Sequence, residues 1–589
     1  MIINHRLSRD AFIALGHGGG GPKVIQDLVE AQYSKHLMLL HAVAEAADAA
    51  DPSDPVTAAF QAGFSLMARV QAADSDAAAW QLGLPQIGAW AHDCLTSLDQ
   101  GSLPDFGYVA CAAVAAAVRA GITFQLAVPV HDGRVLLPGL GCLFIADQLS
   151  WIRLSGDGVR LTAGNDIDLP YAALIADDGR GTLLPQWQGT PLIRAVADGH
   201  AWDVLLETHD RYLDRYAQRM PTALTADEIT KWRHIIESAW LVLVRRHSWV
   251  AASLATGVSV IVPLVPESDL DSATTPAAFG AIATSLPPDP VMMAETLVHE
   301  FQHLKLCGLM DMLPLIRPSE ETVYAPWRQD PRPVGGLLQG VYAFLGIVLF
   351  WGAQRRVETD PDDVLRAEVM YERWRSTMEL ATGSLLATSA LTPTGARFVN
   401  LIREQGLSLE SESVPAEARE MAREVALDHW LTWQVRHNAF DTAGVASLAA
   451  SYHRGEPLLD RTLPEGRIAE ETRKVDSATR SRLLDMRHLD PRRYRELCAA
   501  GVPGLSKADA LLINGQDSAA VCAYRDEIAC DGRQPEVWVG LALAVHRHQA
   551  SSPLRQVFTT KLPLMFDVYA CLSQQGIRSD PLDLAAWLA

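Results

Sequence analysis

His299 and His303 stand four apart in the run Leu297-Val-His-Glu-Phe-Gln-His-Leu-Lys305, a spacing that on a helix aims both imidazoles the same way. Each helical residue advances about 100°, so the two rings differ by roughly 40° and lie one turn apart, within reach of a single metal ion. Glu300 sits about a third of a turn round, where it can act on a water or substrate held by that metal, as in zinc peptidases. The plainer reading makes the two histidines ordinary members of an amphipathic helix. Against it, Glu300, Gln302 and Lys305 crowd polar groups around both rings in an otherwise apolar segment.

The flanking residues supply the elements that must hold the pair. Phe279 to Pro287 reads as a short apolar strand stopped by Pro287-Pro-Asp-Pro290, and Val291 to Met310 as a helix capped by Asp289 with Pro290 in its first turn. Strand, turn and motif helix follow the order of zincin-type metal domains. An unpaired edge on the strand would offer backbone donors and acceptors to an extended peptide.

Two imidazoles do not complete a metal centre. Catalytic zinc takes a third protein ligand, and non-haem iron(II) typically takes two histidines and a carboxylate. The next helix, Gly335 to Gly346, carries Gln339 in its apolar face and no acid. Gln339 is therefore a candidate ligand or partner of a ligand, with a hydrogen-bonded core amide as the alternative, and Glu320 and Glu321 in the preceding loop are the nearest acids. Arg328 and Arg332 in the same loop carry planar forks that bind carboxylates bidentately, so either is a candidate anchor for a dicarboxylate cosubstrate, with Lys305 next in line. A structural arginine capping the loop is the alternative. Tyr324, Trp327 and Tyr342 are candidates to wall the pocket or to pack a core.

A chain of 589 residues exceeds one hydrophobic core. We expect three regions: 1–215, helical with a small β-sheet; 216–409, carrying the metal motif; and 410–589, helical. A net charge of −20 with no basic block argues against nucleic acid or an anionic membrane as partner and leaves a basic or neutral peptide open. The eight cysteines form no CxxC pair, which gives no support to a zinc ribbon or iron–sulfur site and fits buried thiols in a reducing cytoplasm. The most apolar run, Gly335 to Trp351, contains Gln339 and several glycines and fits a buried helix better than a membrane span.

Along the chain, Gly16-His-Gly-Gly-Gly-Gly-Pro22 lacks both a preceding strand and a Gly-Lys-Ser/Thr ending, so it reads as a turn before a helix rather than a phosphate loop. Strands are expected at Ile122 to Val130, Val135 to Phe144 and Trp151 to Leu161, helix again from near Asp203, a strand at Val258 to Leu264, and a linker at Arg454 to Gly466. Residues 514–524 and 535–543 have the spacing of a tetratricopeptide (TPR) helix pair, read as a packed appendage because so few units cannot form a solenoid. The fold class is thus α+β and predominantly α-helical: a zincin-like metal domain, a small antiparallel sheet and a TPR-like C-terminal region.

The motif helix, the Arg6 to Phe12 opening with its glycine run, Tyr324 to Pro333, Gly336-Leu-Leu-Gln-Gly-Val-Tyr-Ala343 and the closing Asp583-Leu-Ala-Ala-Trp-Leu588 together resemble a bacterial family of HEXXH-motif peptide-modification proteins, also described as 2-oxoglutarate-dependent HExxH-type peptide β-hydroxylases of ribosomal peptide biosynthesis. The resemblance runs nearly end to end. It implies an oxidoreductase, a dioxygenase in which His299 and His303 bind Fe(II), 2-oxoglutarate chelates the iron, and oxygen is used to hydroxylate a β-carbon of a precursor peptide. Glu300 matches the motif's acid, either as a base or as a group that orients a ligand; no third ligand can be matched. A zinc metallopeptidase with Glu300 as general base, and a non-catalytic peptide-binding protein, stand beside that reading.

Overall fold

The computed structural model describes residues 5–49, 55–145, 149–163, 167–175, 183–184, 186–214, 219–221, 223–266, 271–409, 413–458, 463–469, 479–548 and 553–589. The chain divides into two compact units, Met1–Pro314 and Leu315–Ala589. Helix predominates, with small sheets confined mostly to the first unit.

In the first unit the helices Arg9–Gly16 and Gly21–Asp48 flank the glycine run. Gly18, Gly20 and Gly21 take positive φ, so the run is a tight turn that residues with side chains would resist. Helices Pro55–Ala73, Ser75–Gly83 and Pro85–Asp99 lead to Tyr108–Arg119, whose Ala-rich residues 108–118 are all buried. The three strand regions expected from residue 122 build not one small sheet but two four-stranded antiparallel ones. One runs in the order Thr123–Pro129, Trp151–Asp157, Arg160–Ala163, Ile167–Pro170, and the other in the order Arg134–Leu137, Gly141–Phe144, Trp187–Gly189, Leu183–Leu184.

A five-stranded sheet backs the motif helix, in the order Ser272–Ala273, Ala281–Thr284, Val260–Pro263, His200–Leu206, Leu192–Ala197. The middle three strands are parallel and the outer two antiparallel. Val260–Pro263 and Ala281–Thr284 are buried at every residue, as parallel strands covered on both faces must be. Two expectations fail here. Residues near Asp203 form a strand, not a helix: Trp202 and Val204 turn inward with exposed Asp203 between, and Leu205 and Leu206 are both buried where they pair with Val260 and Ile261. The edge of Ala281–Thr284 is not open either, because Ser272 pairs with Thr284 and Ala273 with Ala283.

The motif helix spans Pro290–Met312. The Asp289 carboxylate accepts from the Met292 N–H at 2.8 Å, and Pro290 occupies the first turn, where its missing N–H costs nothing. Met293, Ala294, Leu297, Val298, Phe301 and Leu304 are buried. Leu313 turns extended before Pro314 and ends the helix.

In the second unit, Thr322–Val323 pairs with Arg332–Pro333 and closes the loop between them. Helix Val334–Gln354 follows. Among the described residues it alone is long and apolar enough to cross a membrane, and 72% of its most apolar window is buried. The Trp327 indole lies flat on Gly340 of that helix, so close that a Cβ there would overlap it, and stacks on Phe344 with ring centres 4.7 Å apart. Helices Pro361–Ala387, Pro393–Ser408 and Ala416–His437 pack beyond it; the second of these was not expected. The expected helix pair is present as Asp517–Cys530 and Pro535–His548, packed in a core that reaches Leu588. The expected linker includes residues 459–462, which lie outside the described residues. No disulfide forms; four cysteines (Cys94, Cys111, Cys142, Cys307) are buried, but Cys498, Cys522 and Cys530 are exposed, against the expectation that most would be inside.

Candidate metal centre

Helix Pro290–Met312 brings the two imidazoles together as the spacing requires. Their ring centres are 4.9 Å apart and their planes nearly perpendicular. One ligand atom each from His299, Glu300 and His303 lies within 4.8 Å of the others, and among the described residues this is the one His, Cys, Asp and Glu cluster able to hold a metal ion. Burial first, and then the charge of His303, pushes His299 down to about 3, so it is a neutral imidazole at physiological pH, the form that ligates metals.

Glu300 is 2% exposed. Its Oε1 accepts a 2.7 Å hydrogen bond from the Ser272 hydroxyl, on the edge strand of the sheet behind the helix. Its Oε2 is buried with no partner among the described residues. Burial raises the carboxyl pKa, and His303, Ser272 and Thr274 pull it back down. A buried orphan oxygen beside two imidazoles is costly by itself and is relieved by a cation or a proton donor, so this donor set fits a divalent transition metal.

Lys305 lies in the same unit and is 2% exposed. Its ammonium donates to the carbonyls of Gly18 at 2.6 Å and Gly19 at 2.9 Å, and the Gln302 amide also donates to Gly18 at 3.3 Å. The glycine run is thus a clasp on the motif helix: its positive-φ turn presents two carbonyls where an ordinary turn would not. Burial lowers Lys305 to about 7. Its hydrogen bonds serve the backbone carbonyls of the glycine run, which is a positioning role.

The remaining candidates belong to the second unit. Arg328 and Arg332 share one carboxylate, Asp330, at 3.0 and 3.1 Å. The trio keeps one net positive charge and unused guanidinium donors, so it still fits a further carboxylate. The Tyr324 hydroxyl meets Nδ1 of His429 at 2.8 Å, and its ring packs edge-on against Trp430 and Trp433. Burial holds His429 down at about 4. Gln339 is half-buried on helix Val334–Gln354, while Glu320 and Glu321 are exposed. Tyr342 is fully buried against Phe398, a core residue.

Sequence reasoning missed Ser272 and the Gly18 and Gly19 carbonyls. Ser272 meets Glu300 across 28 residues by sheet pairing, and a backbone carbonyl leaves no mark in residue type. No protein-family model matches the chain, and no curated protein is significantly similar to it.

Proposed function

We propose that this chain is an Fe(II)- and 2-oxoglutarate-dependent dioxygenase that hydroxylates a β-carbon in a ribosomally made precursor peptide, in the cytoplasm. The observation that carries the metal-dependent part is the cluster of half-buried His299 and His303 with buried Glu300, its ligand atoms within 4.8 Å of one another. The choice of iron and of the cosubstrate rests on the end-to-end family resemblance. His299 and His303 would hold the ion, which with 2-oxoglutarate and molecular oxygen would supply the two-electron oxidation of a C–H bond, with 2-oxoglutarate oxidised to succinate and carbon dioxide.

The chain's own residues then have distinct tasks. Neutral His299 offers its lone pair without first losing a proton, and His303 supplies the second imidazole beside it. Glu300, fixed through Oε1 by Ser272, keeps Oε2 turned to the imidazole pair, where it can orient a bound water or substrate group. In the second unit, the Arg328, Asp330, Arg332 trio keeps the charge and the free guanidinium donors to bind a carboxylate. For the peptide, Ser272–Ala273 is the sheet's outer strand. The Ser285 N–H donates to the Asp271 carbonyl, and in an antiparallel pair the next residue faces away, so the backbone of Ser272 is directed outward for an added strand. An antiparallel edge strand, a parallel neighbour and the motif helix in that order support the zincin-like reading of this unit, and the hairpin Asp517–Cys530 with Pro535–His548 supports the TPR-like one.

A zinc peptidase is the second reading, favoured by one observation: the Glu300 carboxylate lies buried beside both imidazoles, where a general base for metal-bound water would stand. Anaerobic loading with Fe(II) followed by 2-oxoglutarate separates the two. A visible charge-transfer band that appears only with both, and is lost in His299→Ala and His303→Ala, supports the dioxygenase; zinc-dependent peptide cleavage that is indifferent to 2-oxoglutarate overturns it.

A further inference from the structure

A cavity of about 190 Å³ lies in the first unit, walled in part by helix Ser75–Gly83 and by the strands Leu192–Ala197 and His200–Leu206. Leu84, Leu140, Leu174, Leu192 and Leu205 make most of the wall, with the Trp80 indole beside them, and none of His299, Glu300 or His303 takes part. The volume is below that of a usual drug-sized pocket and equals roughly six waters at about 30 Å³ each, so it suits a small molecule.

Arg119, the last residue of helix Tyr108–Arg119, is the one cation in that wall. Its guanidinium carbon lies 3.7 Å from the Trp80 ring centre, a stack that fixes the plane of the fork. Among the described residues the group makes no hydrogen bond and no ion pair, and its Nε is buried without an acceptor. Burial lowers its pKa, and no acid opposes that shift. In a chain with 70 acids against 50 Lys and Arg, this guanidinium keeps donors that the fold itself does not meet.

The other polar groups of the wall have different tasks. The Thr190 hydroxyl donates to Glu207 at 3.3 Å. The Asp203 carboxylate stands 3.7 Å from Arg194, with both side chains about half exposed, and Ser259 is an exposed neutral residue. A neutral occupant would leave the guanidinium unmet, and a small hydrated anion would make no use of the leucines.

We propose that this cavity binds a small carboxylate with an aliphatic body, the carboxylate on the Arg119 fork and the body among the leucines. A planar fork matches a carboxylate with two parallel hydrogen bonds, and the Trp80 stack sets the fork before the ligand arrives. The site lies wholly within the first unit and does not depend on the metal chemistry. The same group can arrive as a free acid or as the C-terminal residue of a peptide.

The test titrates the full chain with 3-methylbutanoate and with 3-methylbutanamide, its neutral isostere, by calorimetry or ligand-observed NMR. The acid should bind, and the amide should bind at least about tenfold more weakly, the margin of a charge-assisted pair over a neutral one. Acetate, which lacks the aliphatic body, and inorganic phosphate should also bind more weakly than the acid. Arg119→Gln should erase the preference for acid over amide, and Arg119→Lys, which keeps the charge without the fork, should retain part of it, with circular dichroism establishing that each variant is folded. N-acetyl-leucine binding as well as the acid assigns the carboxylate to a peptide C terminus, and binding of the acid alone assigns it to a free compound; both keep the site. No binding of the acid, equal affinities for acid and amide, acetate or phosphate bound as tightly as the acid, or a preference for the acid that survives Arg119→Gln would overturn the proposal.

Discussion

The Ser272 hydroxyl donates to Oε1 of Glu300 at 2.7 Å, so the outermost strand of the five-stranded sheet is tied to the acid that lies between the two histidines. A peptide added to that strand would pair beside the residue that fixes Glu300, which couples substrate docking to the geometry of the metal centre.

Ser272→Ala should therefore spare the metal and impair the chemistry. The histidines keep their helix spacing, so metal content should remain that of the wild type. Glu300 loses a hydrogen bond to a buried carboxyl worth about 1.5 kcal/mol, and turnover should fall about tenfold. Metal analysis and rate measurement on the same preparation check this, and loss of metal in step with activity would assign Ser272 to the fold instead.

Lys305→Met tests the glycine clasp. The slightly shorter apolar side chain fits the buried space but leaves the Gly19 carbonyl without its donor, while Gln302 still reaches Gly18. Chemical denaturation should register a loss of about 1–3 kcal/mol. An unchanged midpoint would mean that the clasp contributes nothing to holding the helix.

Two glycine-to-alanine changes should move stability in opposite directions. Both residues are helical, where alanine is favoured by about 1 kcal/mol. Gly340 lies under the Trp327 indole, and Gly383 has nothing within 4 Å of where its Cβ would stand. Gly383→Ala should stabilise by up to about 1 kcal/mol. In Gly340→Ala the indole must move, and overpacking of about 1–3 kcal/mol should outweigh the propensity gain and loosen the Tyr324 to Pro333 loop. Thermal unfolding compares the pair directly, and stabilisation in both would contradict the close packing.

The buried carboxyls Glu207 and Asp210, both 0% exposed, give the first unit a pH dependence of defined sign. Burial, and then repulsion by Asp210, raises Glu207; burial also raises Asp210, which accepts from the Tyr108 hydroxyl at 2.6 Å. The folded state thus binds more protons than the unfolded one from the ordinary carboxylate range upward, and stability should decline as pH rises from there toward neutrality. Glu207→Gln, whose amide can donate to Thr190, should flatten that decline by on the order of 1–3 kcal/mol between pH 4.5 and about 8. Parallel stability profiles for wild type and variant would remove Glu207 as the cause.

Local signals in the sequence carried far where one element acts alone. Asp289, Pro290 and the apolar spacing from Met293 to Leu304 define the motif helix, and the four-residue interval of the histidines defines their shared face. The strand His200–Leu206 was only half legible, since Trp202, Asp203 and Val204 alternate but Leu205 and Leu206 are both buried, and the run is easily absorbed into a helix pattern. What was not legible is pairing across distance. Ser272 covers the edge of Ala281–Thr284 through backbone hydrogen bonds that no side chain announces, and Asp330 takes up both arginines because it lies two residues from each. The glycines of the first turn matter for their carbonyls, which composition does not record.

The most direct test of the central claim is succinate production by the anaerobically Fe(II)-loaded protein on admission of oxygen and 2-oxoglutarate, measured beside His299→Ala and His303→Ala. The account predicts succinate formation matched to oxygen uptake, dependent on iron and absent from both variants. Folded, iron-loaded wild-type protein that forms no succinate, or variants that form it at the wild-type rate, would contradict it.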